Sequence, residues 1–130
     1  MVSKNKLDIL RAYTQAWNDH DIDTIMSMMA EDCVFYTIAG PTAMGTEHRG
    51  TEQVRAAFES AWKNFPDAAW LDGQFYLLDE NKAMSTSRFK GTDLNGAKHD
   101  AQMVDLFEFD GDKIKVKNAF RKNRPPISGE

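Results

Sequence analysis

The stretch KHDAQMVDLFEF, from Lys98 to Phe109, decides how the chain is read. Side chains on a strand alternate faces with a period of two, so His99, Ala101, Met103, Asp105, Phe107 and Phe109 share one face, while Gln102, Val104, Leu106 and Glu108 share the other. The first face is the more apolar, which predicts that it turns inward with Asp105 in its middle. Loss of water raises a carboxyl pKa by disfavouring the charged form, and a buried acid beside open space is a candidate functional group. The same pattern also fits an Asp105 that only bonds a neighbouring strand, or a sheet whose other face is buried.

Directly after this stretch, Asp110-Gly111-Asp112 carries the Asp-Gly pair that favours a tight hairpin. The strand that follows covers about 113–122, where Ile114, Val116, Asn118 and Phe120 alternate with Lys113, Lys115, Lys117, Ala119 and Arg121. Unbroken alternation sends the basic row to water and the apolar row inside, leaving Asn118 as an inward polar group in need of hydrogen-bond partners. Lysines on one strand face also discourage edge pairing, so the basic row reads as a solvated face in preference to a phosphate site. Upstream, strands over about 69–79 and 82–92 are bounded by the turn sequences Asp79–Lys82 and Asp93–Gly96.

The N-terminal half has helical periodicity instead. Leu7, Leu10, Thr14 and Trp17 predict an amphipathic helix over about 4–18. Asp21 is a suitable N-cap for a short second helix with Ile22, Ile25, Met26 and Met29 on one stripe. The β-branched and aromatic run CVFYTI predicts a strand over 33–38, and GPTAMGTEHRG, 40–50, reads as loop. Thr51 is the expected N-cap of a third helix over about 52–64, whose Val54, Ala57, Phe58, Ala61, Trp62 and Phe65 form a broad apolar face ended by Pro66. Helices first and a meander of long strands after them give an α+β fold: three N-terminal helices packed in a strongly curved antiparallel sheet, forming a cone whose open end is a pocket.

At 130 residues and 42% hydrophobic content, the chain is one domain, 1–124, with a short tail over 125–130. A net charge of −4 argues against a nucleic-acid partner, which needs a concentrated basic surface. Apolar runs are short and MVSKNKLDIL has no signal-peptide core, so no membrane partner and a cytoplasmic location are expected. The lone Cys33 reads as an inert core residue and excludes an internal disulfide. No zinc-ligand spacing, phosphate loop, dinucleotide fingerprint or nucleophile elbow is present, and no metal or cofactor is expected.

Several motifs together resemble the nuclear-transport-factor-two-like superfamily in its SnoaL-like branch. They are Tyr13–Asn18 (YTQAWN), Asp21–Asp23 (DID), Ala30–Phe35 (AEDCVF), Arg49–Val54 (RGTEQV) and Phe107–Ile114 (FEFDGDKI), and the resemblance covers nearly the whole chain. This superfamily hosts ketosteroid isomerase, polyketide cyclases, dehydratases, epoxide hydrolases and non-catalytic proteins, so the fold does not name a reaction. Compared with ketosteroid isomerase, Tyr13 resembles the tyrosine of the first helix and Asp105 resembles the protonated aspartate beside it. As a pair they are implied to polarise a substrate carbonyl. The position of the catalytic base is Thr37, which cannot take a proton at neutral pH, and that departure argues against the steroid isomerase mechanism.

His48 is the nearest replacement base by sequence, since an imidazole titrates near neutrality. Trp17, Phe35, Thr37, Phe58, Trp62, Met103, Phe107, Asn118 and Phe120 are the expected pocket walls, suited to a small hydrophobic ligand. The resemblance further implies a homodimer packed through the sheets, for which the outward Tyr36, Val104 and Leu106 are candidates. The expected function is small-molecule binding, with cofactor-free isomerase, cyclase or dehydratase chemistry; a non-catalytic binding or dimerisation module with the same cavity is the alternative.

Overall fold

In the computed structural model, which describes residues 5–127, the first helix begins where local chemistry dictates. The side chain of Asn5 accepts from the backbone N–H of Leu7 at 2.8 Å, capping α1 (Lys6–Asn18). Asp21 does the same for α2 (Ile22–Ser27), accepting from Thr24 N at 3.2 Å. Met29, expected on the stripe of α2, instead opens β1 (Met29–Tyr36). The expected loop holds a short β2 (Glu47–Arg49), which turns straight into α3 (Gly50–Asn64). Gly50 makes that turn with φ +83°, a conformation that side chains strain, so Arg49 and not Thr51 is the N-cap. Four strands follow: β3 (Ala69–Leu77), β4 (Lys82–Thr92), β5 (Lys98–Asp110) and β6 (Lys113–Arg121).

The six strands form one sheet in the order β2-β1-β6-β5-β4-β3. The meander β3 to β6 is antiparallel as expected, but β1 runs parallel to β6, which makes the sheet mixed. At the free edge, Asn18 substitutes for a strand: its amide donates to Trp70 O at 3.0 Å and accepts from Trp70 N at 2.7 Å, fixing the end of α1 on β3. A core of Leu10, Tyr13, Ile25, Cys33, Val54, Phe58, Phe107 and Ile114 fills the space between the helices and the concave side. After β6 the chain turns back, and Ile127 bridges Lys98 on β5. No helix among the described residues is long and apolar enough to cross a membrane.

The facing of β6 departs from strict alternation. Glu108 pairs with Val116 and Phe109 pairs with Ile114, so Lys115 is an extra residue, a β-bulge that changes the phase of everything beyond it. Ile114 stays inside at 0% exposure, but from there Lys117, Ala119 and Arg121 share the concave side. Asn118 and Phe120 go to the outer face instead of the inner one, and Phe120 is 50% exposed. The expected solvation of the basic row is therefore corrected for Lys117, which is 6% exposed. A one-residue insertion inverts every later side chain because the strand period is two.

Candidate functional site

The concave side encloses a cavity of ≈ 680 Å³, within the range of roughly 300–1,000 Å³ usual for small-molecule pockets. Its existence traces to α3. Val54 and Phe58 of that helix sink into the core, whereas Gln53, Ala57, Ser60, Ala61 and Asn64 on the neighbouring stripe face the cavity. Small side chains there leave room between helix and sheet. Aromatic walls come from Trp17, Phe35, Phe65, Trp70 and Phe89, with Thr37 and His48 toward β1 and β2 and Met103 and Ala119 on the floor.

Among the described residues, two basic side chains line this cavity, Lys117 and Arg121, and no carboxylate does. Lys117 pairs with Phe107 on β5 and with Phe35 on β1, which sets its side chain among rings. Its Nζ lies 4.3 Å from the ring centre of Trp17 and 5.4–5.8 Å from those of Tyr13, Phe58 and Phe35. Its charge partner is Asp105, whose Oδ2 is 3.9 Å away. Asp105 pairs with Ala119, so the two charged residues are diagonal neighbours on adjacent strands. Burial raises the carboxyl pKa of Asp105, and Lys117 opposes that rise. Burial likewise lowers the ammonium pKa of Lys117, which Asp105 partly offsets.

Asp105 lies where its strand pattern predicts, on the buried side at 7% exposure. Tyr13 comes beside it from α1, with its ring edge-on to Phe107 at 5.7 Å. Burial pushes the Tyr13 phenol well above its ordinary value; the adjacent Trp17 indole lowers it and Asp105 raises it. Among the described residues, neither Tyr13 OH, Trp17 Nε1 nor Asp105 Oδ1 has a hydrogen-bond partner. Tyr13 and Asp105 do not, however, face the large cavity. With Ser85, Thr86 and Phe107 they line a separate chamber of ≈ 20 Å³, space for about one water. Trp17, Trp70 and Lys117 border both spaces, so Lys117 stands between Asp105 and anything in the cavity.

Of the other expected wall residues, Trp17, Phe35, Thr37 and Met103 reach the cavity. Phe58 is fully buried in the core and Trp62 packs against Trp17 and His20, so neither borders it. Asn118 and Phe120 lie on the opposite face of the sheet because of the Lys115 bulge. Thr37 is occupied structurally: its hydroxyl donates to Ala39 O at 2.7 Å and accepts from Thr46 N at 3.0 Å. His48 does border the cavity, its ring stacked on Phe35 with centres 6.1 Å apart. His20 donates to Ala68 O at 2.9 Å, and His99 is held by Asp93 at the same distance.

Lys117 and Arg121 are the residues that strand alternation missed. No local signal pointed to them: alternation without a bulge puts Phe120 inside and the basic row outside, and only the pairing of β6 with Glu108 and Phe109 decides otherwise.

Residues 10–116 match the family profile of the SnoaL-like domain. No curated protein matches the chain. Among solved structures, the fold is similar to that of a protein of unknown function with a cystatin-like fold from Xanthomonas campestris, with a TM-score of 0.80, 22% identity and 92% of each chain covered. It is also similar to a candidate polyketide cyclase from the same organism, with a TM-score of 0.80, 16% identity and 90% of each chain covered. A protein with a ketosteroid isomerase-like fold from Catenulispora acidiphila, solved with trimethylamine, has a TM-score of 0.75 at 16% identity, over 87% of this chain and 84% of that one.

Proposed function

The chain belongs to the SnoaL-like domain family, and from that premise we propose that it binds a small, largely apolar carbonyl compound in the cone and moves a proton on it without a cofactor. The observation that carries this reading is the buried Lys117, held between Asp105 and an aromatic-walled cavity of ≈ 680 Å³. Neighbouring folds that include a candidate polyketide cyclase support the same reaction class, isomerase or cyclase, by analogy of fold.

Lys117 fills the role for which the base position, Thr37, is unsuited. Burial lowers the pKa of its ammonium, and a buried lysine with a depressed pKa can serve as a base. In the proposed step the amine takes a proton from the carbon beside the substrate carbonyl, leaving an enolate and an ammonium. The ammonium stabilises the enolate oxygen and returns one of its three equivalent protons to carbon, at the same position or a second one, so the balance closes within the site. Asp105 acts from behind, keeping the proton affinity of Lys117 from collapsing. Tyr13 stays protonated with its hydroxyl in the small chamber, which is too narrow for a ring-bearing substrate.

Exchange in D2O tests the proposal. A panel of enolisable aryl ketones, such as 1-indanone and 2-tetralone, is followed by NMR for deuterium uptake beside the carbonyl. The expected result is exchange accelerated by the wild-type protein and abolished by Lys117→Met, with binding retained. Binding without accelerated exchange across the panel supports the non-catalytic reading of the same cavity. Exchange that survives in Lys117→Met removes Lys117 as the base and returns the role to His48.

A further inference from the structure

Arg121 reaches the cavity from the same strand face as Lys117, four residues and about 13 Å along β6. Its guanidinium lies over Phe89 at 4.6 Å from the ring centre, half-buried, and makes no hydrogen bond or ion pair with any described residue. The five N–H donors of that group therefore have no partner among the described residues on the side where the cavity opens. Among the described residues, no Asp or Glu lines the cavity beside it. An arginine stacked on a ring keeps its planar fork in one orientation, which suits bidentate recognition of a carboxylate.

We propose that the ligand is an aromatic carboxylate, with its acid group on Arg121 and its ring against Trp70, Phe65 and Phe89. This deepens the carbonyl-binding reading and rests on it: the acid anchors at Arg121 and leaves the other end of the molecule toward Lys117. A substrate of about 10–13 Å, an aryl keto acid in overall chemistry, spans both cations along the strand. Specificity against the neutral analogue follows, since burying an unpaired guanidinium under an ester leaves its donors without partners.

Calorimetric titration of the wild-type protein with benzoate, 4-phenylbutyrate and 1-naphthylacetate, each against its methyl ester, tests this directly. The expected result is that at least one acid binds about tenfold or more tightly than its ester, a preference that falls below about threefold in Arg121→Gln. The acid and ester comparison on unaltered protein keeps the test decisive if Arg121→Gln does not fold. Esters binding as well as their acids overturn the anionic-ligand proposal and leave the carbonyl-binding reading intact. An acid preference that persists in Arg121→Gln overturns the assignment to Arg121. No binding by any member of the set overturns both.

Discussion

At the scale of single residues, Lys117 and Asp105 behave as one titrating unit. Burial raises the Asp105 pKa and lowers that of Lys117, and each partner opposes the other's shift. Removing either partner exposes the other. In Lys117→Met, Asp105 is buried alone and its folded pKa rises further above 3.8. The native state then binds the extra proton, and stability falls as pH rises between 3.8 and the raised value. In Asp105→Asn, Lys117 loses the group that sustains its charge, and its folded pKa drops further below 10.5. There the unfolded state binds the extra proton, and stability rises with pH up to 10.5. Urea unfolding across pH should show these opposite slopes, each approaching about 1.4 kcal/mol per pH unit within its window; slopes of the same sign would refute the coupling. Tyr13→Phe removes an unpaired buried hydroxyl, so stability should hold or rise by about 1 kcal/mol, whereas a loss above 1 kcal/mol would reveal a partner for that hydroxyl.

At the scale of elements, the bulge at Lys115 is the device that makes the site. Its side chain is half-exposed and reaches Asp32 at 3.4 Å, a surface ion pair of little energetic weight. Lys115→Ala should therefore change stability by no more than about 0.5 kcal/mol in thermal unfolding. Deleting Lys115 is a different experiment. It restores strict alternation, pushing Phe120 and Asn118 inside and Lys117 and Arg121 out, and should abolish the cooperative transition. Should the deletion variant unfold like wild type, the bulge is not what sets the facing. On α3, two adjacent stripes have opposite tasks. Phe58 sits at 0% exposure in the core, so Phe58→Ala should cost about 3–5 kcal/mol. Ala57 only borders the cavity, and Ala57→Leu should fill space there, weakening ligand binding far more than folding.

For the whole molecule, one band of the outer face of the sheet is largely apolar. Tyr76, Met84, Leu106 and Asn118 lie in register across β3 to β6, and Tyr36 continues the row on β1. The adjacent row carries Val104 opposite Phe120. With Tyr76 45% and Phe120 50% exposed, this face suits association with a second copy of the chain. Light scattering after size exclusion should give a dimer for wild type and a monomer for Phe120→Glu with its cavity intact; a wild-type monomer would remove this assembly. The residue order puts Phe120 outside only because Lys117 is inside, so the bulge serves both the cavity and the outer face.

What the sequence by itself determined was every pattern written in local periodicity. The helix of Leu7 to Trp17, the Asp21 cap, the Asp110-Gly111 hairpin, the paired faces of β5 and the buried Asp105 are all legible because each follows from neighbours within a few residues. The family motifs, being long and spread over the chain, identified the cone. Tertiary structure alone decided the rest. The parallel pairing of β1 with β6 joins segments about 80 residues apart, and no local period encodes it. The inward turn of Lys117 and Arg121 depends on which residue of β6 opposes Glu108 and which opposes Phe109. Lysine in water is so well solvated that its residue type argues for the surface; only the carboxylate of Asp105 and the rings around it make burial tolerable, and those are brought together by the fold.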